Sequence, residues 1–215
     1  MENKKENILK VVLLGETATG KSNLINVFLG NKFNPISIPT LNPNSSERKI
    51  NIYETTYIIN MWDTIGQERY RSMTKMFLKG ANIVIFVYDI TKKSSFIELN
   101  YWVKLVHEEL GDEPILGVCA NKIDLFSMEE VTTAEGEEFA NKIEALFTPT
   151  SAKEDPIGFD NFIVKLIKKY HRSKNNINND VKSIVLEEKP SKRKKCRYFA
   201  KYFFYNFDLL KIDCN

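Results

Sequence analysis

Two observations predict that the chain folds as an open α/β sheet that is mostly parallel. Three short segments rich in Val, Ile and Leu are bounded by Gly, Pro or Asp, as strands buried on both faces are: Ile8–Leu14, Ile83–Ile90 and Ile115–Ala120. Segments with the 3.6-residue spacing of helices lie between and after them: Lys21–Leu29, Ser94–Leu110, Thr133–Ile143 and Asn161–Tyr170. This alternation predicts parallel strands joined by helices that cover both faces of the sheet.

One antiparallel edge strand is also predicted. Lys49–Tyr53 and Tyr57–Trp62 flank Glu54-Thr55-Thr56 and resemble the two strands of a hairpin. In open α/β sheets, ligands bind beyond the carboxyl ends of the strands. The residues that follow each strand are therefore the first candidates for a functional site.

Charge divides the chain into two parts. The 215 residues are 43% apolar and 27% charged, which suffices for a sizeable core. Residues 1–171 carry 20 Lys/Arg against 23 Asp/Glu, whereas residues 172–215 carry 11 against 5. We expect a folded domain over residues 1–171 and a basic, aromatic C-terminal tail over residues 172–215.

Several classes of protein are excluded by composition. Cys119, Cys196 and Cys214 are too few for a disulfide framework and too far apart for a zinc site, so we expect a reducing compartment. No segment has the roughly 18 to 20 apolar residues that span a bilayer. The N-terminus has no signal-peptide cleavage site. These features predict a cytoplasmic protein.

A phosphate-binding loop is predicted between the first strand and the first helix. Residues 15–22 read Gly-Glu-Thr-Ala-Thr-Gly-Lys-Ser and match G-x-x-x-x-G-K-S. The glycines let backbone N–H groups surround phosphates, Lys21 reaches the terminal phosphates, and the Ser22 hydroxyl ligates Mg²⁺. A chance Gly-rich turn is the alternative, and this spacing and context argue against it. The motif alone does not distinguish ATP from GTP.

A second candidate motif follows the hairpin. Residues 63–67 read Asp-Thr-Ile-Gly-Gln, in which the Asp63 carboxylate can hold Mg²⁺ and the Gly66 N–H can reach a γ-phosphate. Alone, this pattern is weak, because any strand can end in Asp and Gly. Since Asp63 comes 41 residues after Ser22, the two are expected to form one metal site.

The residues after the fifth strand predict which base is bound. Residues 121–124 read Asn-Lys-Ile-Asp, and the Asp124 carboxylate can accept two hydrogen bonds from the guanine ring N–H and amine. Ser-Ala-Lys at residues 151–153 follows the last strand, where the Ala152 N–H can bond guanine O6. Lys122 and Phe33 can cover the ring faces. Asn-Lys-x-Asp alone could be an ordinary polar loop, but together with the phosphate loop it indicates guanine.

With these motifs in place, residues 8–171 resemble a small GTPase of the Ras superfamily. The Rab branch is indicated by Trp-Asp-Thr at 62–64, Glu-Arg-Tyr-Arg-Ser at 68–72, Lys-Gly-Ala at 79–81, Val-Tyr-Asp-Ile-Thr at 87–91 and Ser-Phe-x-x-Leu-x-x-Trp at 95–102. The resemblance implies a P-loop NTPase fold with six strands. It also implies bound GTP or GDP and Mg²⁺.

The resemblance extends to individual site residues. Thr40, 18 residues after Ser22, matches the switch threonine that binds Mg²⁺ when the γ-phosphate is present, and Gln67 matches the residue that orients the attacking water. The implied catalytic residues are Gln67, Lys21 and Thr40, and the implied metal ligands are Ser22, Thr40 and Asp63. The implied nucleotide contacts are Gly15, Thr17, Ala18, Thr19, Gly20, Lys21, Ser22, Asn23, Phe33, Thr40, Gly66, Asn121, Lys122, Asp124, Ser151, Ala152 and Lys153.

Three departures from the Rab pattern bear on function. Ile65 stands where Ala is usual and can displace Gln67, which would slow hydrolysis. Trp62 and Phe77 match two of the three aromatic residues that Rabs present to effectors, but Ser45 occupies the third position. Rabs end in prenylatable cysteines, but a C-a-a-X box would need Cys at position 212, where Ile stands, so the expectation of prenylation does not carry over.

We expect a monomeric GTP-hydrolysing switch that regulates vesicle traffic, slow without an activating protein. Its expected partners are an exchange factor, an activating protein and effectors, with no nucleic acid. A Ras- or Rho-type signalling GTPase, favoured slightly by the Pro39-Thr40 pair, and a nucleotide-loaded module with negligible turnover are the alternatives.

The tail predicts how the protein reaches a membrane. A basic cluster at residues 189–197 precedes an aromatic stretch at residues 198–212, which is typical of an interfacial anchor on an anionic leaflet. We expect peripheral binding to the cytosolic face of an endomembrane. The alternatives are a disordered tail, or an incorrect gene end, with any lipid on Cys196 or Cys214.

Overall fold

The structure is a computed structural model that describes residues 7–35, 44–52, 54–64 and 71–184, without the side chains of residues 71–73 and 175–184. The chain divides into a unit Met1–Asn175 and a unit Asn176–Asn215. The sheet and the helices described here belong to the first unit, apart from the end of the last helix. Among the described residues, no helix is long and apolar enough to cross a membrane.

A six-stranded sheet forms the centre of the domain. Its strands follow the order β2-β3-β1-β4-β5-β6, in which β2 and β3 pair antiparallel and all other neighbours pair parallel. The strands are β1 Asn7–Leu14, β2 Asn44–Ile52, β3 Thr55–Asp63, β4 Ile83–Asp89, β5 Ile115–Asn121 and β6 Leu146–Pro149. The predicted mostly parallel sheet with one antiparallel edge strand is confirmed.

The described part of the chain has six α-helices around the sheet: α1 Lys21–Phe28, α2 Arg71–Leu78, α3 Lys93–Ile97, α4 Leu99–Leu110, α5 Thr133–Lys142 and α6 Pro156–Ile184. A short 3-10 helix, Ile123–Met128, follows β5. The single helix predicted over residues 94–110 is divided into α3 and α4 at Glu98. Helix α6 begins before residue 161 and runs past residue 170, so the predicted helix was too short at both ends.

Each face of the sheet has its own apolar core, and strand β1 contributes to both. Leu9, Val11 and Leu13 point into the core formed with α1 and α6, whereas Val12 and Leu14 point into the core formed with α4. All five side chains are buried. The period-2 alternation of a strand therefore divides the apolar side chains of β1 between two packing surfaces.

The Arg48 side chain links the polar edge strand β2 to helices α1 and α6. Its guanidinium donates to both carboxylate oxygens of Asp160 on α6, each at 2.9 Å, and to the carbonyl of Phe28 at the end of α1. It also lies 4.7 Å from the centre of the Phe28 ring. Because most of β2 is exposed, this ion pair holds the strand where apolar packing is sparse.

The predicted domain boundary at residue 171 stays a prediction. Helix α6 continues through this position to Ile184. The ring of His171 is hydrogen-bonded to the hydroxyl of Tyr57 on β3, so the helix is still in contact with the sheet at this point.

Candidate functional site

The carboxyl ends of four neighbouring strands place the predicted motifs along one edge of the sheet. Leu13 near the end of β1 pairs with Asp63 at the end of β3, and Asp89 at the end of β4 pairs with Asn121 at the end of β5. The segments that follow these strands are therefore adjacent. They contain residues 15–22 and 121–124, and residues 151–153 follow β6 in the same row.

Lys21, the first residue of α1, folds back over the loop that precedes it. Its ammonium donates to the carbonyls of Gly15 and Glu16, both at 2.9 Å, and the residue is 5% exposed. Burial lowers the pKa of Lys21 to about 8, and the carboxylates of Asp63 and Glu16 oppose this shift. A buried ammonium held against two carbonyls is a preformed positive site for an anion.

Gly20 allows the loop to pass close to the base-binding segment. Its φ of 97° lies in the left-handed region, and a Cβ there would come 2.3 Å from the Asn121 Nδ2 atom.

The other predicted residues of the loop differ in exposure. Ala18 is exposed and also has a positive φ of 65°. The Thr19 hydroxyl donates to the Glu16 carbonyl at 3.0 Å. The Thr17 hydroxyl is buried and has no hydrogen-bond partner in the described part of the chain.

Ser22 and Asp63 bring two oxygen ligands together. The Ser22 hydroxyl donates to the Asp63 carboxylate at 2.7 Å. The Thr64 hydroxyl donates to the Leu13 carbonyl at 2.5 Å, which fixes the chain directly after Asp63. A hydroxyl and a carboxylate beside a phosphate loop are the hard oxygen donors that Mg²⁺ prefers, so these residues fit the metal.

Asn121 connects the phosphate loop to the loop after β6. Its side-chain amide donates to the Thr19 carbonyl at 2.8 Å, and its side-chain oxygen accepts from the Ala152 N–H at 3.2 Å. The residue is 1% exposed. The Ala152 N–H, which the sequence assigns to guanine O6, therefore already has an acceptor within the chain.

The Asp124 carboxylate is held by Ser151. The Ser151 hydroxyl donates to Asp124 at 2.6 Å and accepts from the backbone N–H groups of Lys153 and Glu154 at 3.2 and 3.0 Å. The Lys153 ammonium lies 3.9 Å from the other carboxylate oxygen. These contacts fix the orientation of the carboxylate that is expected to read the base.

Two further predicted site residues, Asn23 and Phe33, lie in α1 and in the loop that follows it. The Asn23 amide donates to the Asn34 carbonyl at 3.1 Å, and its oxygen accepts from the Asn34 N–H at 3.3 Å. Phe33 is half-buried against the core cluster that contains Ala152. Asn23 therefore acts on the loop after α1, a role that the sequence did not predict.

Asp89 lies at the edge of the site and was not among the residues predicted from the sequence. It is 1% exposed, and its carboxylate accepts from the Lys122 ammonium at 2.5 Å. The signal available in the sequence was an acidic residue at the end of an otherwise apolar strand. Its partner could not be inferred, because the partner depends on the register between β4 and β5.

Three predicted site residues, Thr40, Gly66 and Gln67, lie outside the described residues, as does Ile65. The three positions expected to meet effectors are described. Ser45 pairs with Trp62 in the sheet, and the Trp62 and Phe77 ring centres are 5.7 Å apart. Ser45 is exposed and the two aromatic residues are half-buried.

A six-stranded sheet of this order, with G-x-x-x-x-G-K-S between its first strand and first helix, is the small-GTPase form of the P-loop fold. A sequence model of the Ras family matches residues 10–172. The chain therefore belongs to the Ras family, whose members bind GTP or GDP with Mg²⁺ and hydrolyse GTP.

Rab proteins are among the most similar relatives. The chain is 31% identical to human "Ras-related protein Rab-22A" over 87% of its own length and 96% of that protein. It is 34% identical to human Rab-17, over 88% and 90%, and 38% identical to human Rab-21, over 74% and 71%. The chain is thus a Rab-like small GTPase.

Proposed function

We propose that the chain is a GTP-controlled switch that regulates vesicle traffic, and that the loops described above form its nucleotide site. One observation carries the site assignment. The Asn121 side chain joins the phosphate loop to the loop that follows β6, where Ser151 holds Asp124, so hydrogen bonds connect the expected phosphate site to the expected base site. The similarity to Rab proteins supports the role in traffic.

In the proposed site, each group has a chemical role. Lys21 and the backbone N–H groups of residues 15–20 hold the phosphates, and Asp124 reads guanine with Ser151 as its support. Ser22, Thr40 and Asp63 would hold Mg²⁺, which neutralises phosphate charge. Gln67 and the Thr40 carbonyl place the attacking water. Catalysis is then positioning and electrostatic stabilisation, with no covalent step on the protein.

The guanine assignment is tested by substituting Asp124, the residue proposed to recognise the base. In Asp124→Asn, an amide NH₂ replaces a carboxylate oxygen and faces the guanine amine, so GTP affinity should fall by about 10² or more while xanthosine triphosphate affinity rises. Competition of the two nucleotides for the purified protein measures both. Asp112→Asn, the same exchange at an exposed carboxylate after α4, is the matched control. Unchanged GTP affinity in Asp124→Asn would overturn the guanine assignment.

A binding module with negligible turnover is the second candidate function, because Ile65, two residues before Gln67 in the sequence, has a larger side chain than the usual Ala. Single-turnover GTP hydrolysis separates the two functions. A switch that cycles hydrolyses bound GTP slowly and is accelerated by an activating protein, whereas the module retains GTP in both conditions. A Ras- or Rho-type role is distinguished by the identity of proteins that bind the GTP-loaded form.

Binding to the cytosolic face of an endomembrane is also proposed, and the last helix supports it. On α6, Lys165, Lys168 and Arg172 are exposed at helical spacing, and none of them forms an ion pair with a described residue. No acidic residue occurs between residues 161 and 179. This basic face precedes the tail, where each basic residue near an anionic leaflet contributes about 1 kcal/mol.

A further inference from the structure

Among the described residues, Asp89 is the one carboxylate that is almost completely buried at the edge of the candidate site. It ends β4 and is 1% exposed. Its Oδ2 atom accepts from the Lys122 ammonium at 2.5 Å, and the Lys122 side chain is 30% exposed. A buried carboxylate needs such partners, because its charge would otherwise be strongly disfavoured away from water.

The Asp89 carboxylate is itself held from the opposite side. Its Oδ1 atom accepts from the backbone N–H of Thr91 at 2.9 Å and from the Thr91 hydroxyl at 2.7 Å. The Asp89 N–H donates to the Ser95 hydroxyl at 3.0 Å. With Thr91 on one oxygen and Lys122 on the other, both oxygens of the carboxylate are held.

The contact with Asp89 restricts the conformations of the Lys122 side chain. Its backbone has a positive φ of 69°, and it lies between Asn121, which is bonded to the phosphate loop, and Asp124. A lysine side chain has four rotatable bonds and samples many rotamers when it is free. With its ammonium held on Asp89, the aliphatic stem is fixed at the base loop.

We propose that Asp89 is a positioning residue that slows the release of guanine nucleotide by fixing the stem of Lys122. This inference rests on the proposed function, in which the stem covers one face of the base. Asp89 does not touch the nucleotide. It acts through Lys122, because a stem already held in place loses less conformational freedom when the base packs against it.

The effect should appear in nucleotide release more than in folding. In Asp89→Asn, the amide oxygen can still accept both Thr91 bonds, so the strand end keeps its local structure. Lys122 is partly exposed, so its ammonium can turn towards water when the carboxylate is lost. The stem then leaves the base, and the nucleotide dissociates faster.

The test is a double-mutant cycle on the dissociation rate of fluorescent GDP from the full chain. Asp89→Asn should speed release about tenfold, since hydrogen bonds to charged groups are among the stronger ones. In a Lys122→Ala background, Asp89→Asn should have no further effect, because the residue it acts through is gone. Asp160→Asn, which breaks the Arg48 ion pair on α6, is the matched control and should leave release unchanged.

Thr91→Val provides a second, milder variant that removes one bond to Asp89. It should speed release by a smaller factor, again only when Lys122 is present. Equal acceleration by Asp89→Asn with and without Lys122 would mean a general structural role and would overturn the proposal, as would no acceleration in either variant. A parent chain that retains no guanine nucleotide would instead overturn the proposed function itself.

Discussion

Ser22 and Asp63 are 41 residues apart in the chain, yet the Ser22 hydroxyl donates a hydrogen bond to the Asp63 carboxylate at 2.7 Å. Ser22 is the second residue of α1, and Asp63 is the last residue of β3. Neither side chain is placed by local sequence alone. The parallel pairing of β1 with β3 brings them together.

The Ser22→Asn variant tests whether this pair holds a metal ion. The larger amide is a poorer Mg²⁺ ligand than the hydroxyl, so GTP affinity should fall more than GDP affinity, by about tenfold or more. Binding of both nucleotides is measured by titration with and without Mg²⁺. Equal losses for GTP and GDP would indicate that the Ser22 hydroxyl only stabilises the start of α1.

Gln67→Leu tests the proposed water-positioning residue. The rate of GTP hydrolysis should fall at least about tenfold with little change in nucleotide affinity, because the side chain acts only on the way to the transition state. Single-turnover hydrolysis with an activating protein is the measurement. Ile65→Ala is the companion variant and should preserve or raise the rate. An unchanged stimulated rate in Gln67→Leu would assign the water to another residue.

Glu135 should make the domain's stability depend on pH. Its carboxylate is bonded to Lys93 and closes a capping box with Thr132 at the start of α5. These bonds lower the pKa of Glu135 to about 2 from 4.5, so its contribution is complete above pH 4.5 and is lost as the pH falls towards 2.

Glu135→Gln is therefore expected to unfold at lower urea concentration than the parent at pH 7. The difference in unfolding free energy should shrink once the pH falls below about 4.5. Glu138→Gln removes an exposed ion pair with Lys142 four residues away, which contributes about 0.3–0.5 kcal/mol, and serves as the control. A parent-to-variant difference that stays constant down to pH 3 would contradict this assignment.

Removing residues 189–215 tests the proposed membrane anchor. The full chain, made without lipid modification, should sediment with anionic liposomes, and high salt should weaken that binding because the basic residues are screened. The shortened chain should stay in the supernatant and keep its GTP affinity. Replacing residues 192–195 with alanine separates charge from the aromatic stretch. Equal recovery of the full and shortened chains in the supernatant would leave lipidation as the route to the membrane.

Much of the fold could be predicted because buried parallel strands carry apolar runs, from Val11 to Leu14 in β1 and from Ile83 to Tyr88 in β4. Strand β2 begins at Asn44, earlier than predicted, because an exposed edge strand needs no apolar run. The later part of α6 is Asn-rich and gave no amphipathic signal, so its end at Ile184 was not anticipated.

The candidate site likewise has a part that could be predicted from the sequence and a part that could not. Motifs with fixed spacing, such as residues 15–22 and 121–124, could be found in the sequence because each serves a local loop geometry. The contact of Asp89 with Lys122 depends on the register of two strands, and the contact of Asn121 with Thr19 depends on two distant loops meeting. Spacing along the chain carries no signal for either contact.

The segment between Asn34 and Arg48 has both of its ends attached to one helix. Asn34 is bonded to Asn23 near the start of α1, and Arg48 is bonded to the carbonyl of Phe28 at its end. The entropy of closing such a loop rises slowly with length, by about 0.6 kcal/mol for each doubling. Because the segment carries Thr40, a proposed metal ligand, its length is limited by the chemistry of the site and not by the small entropic cost of closing the loop.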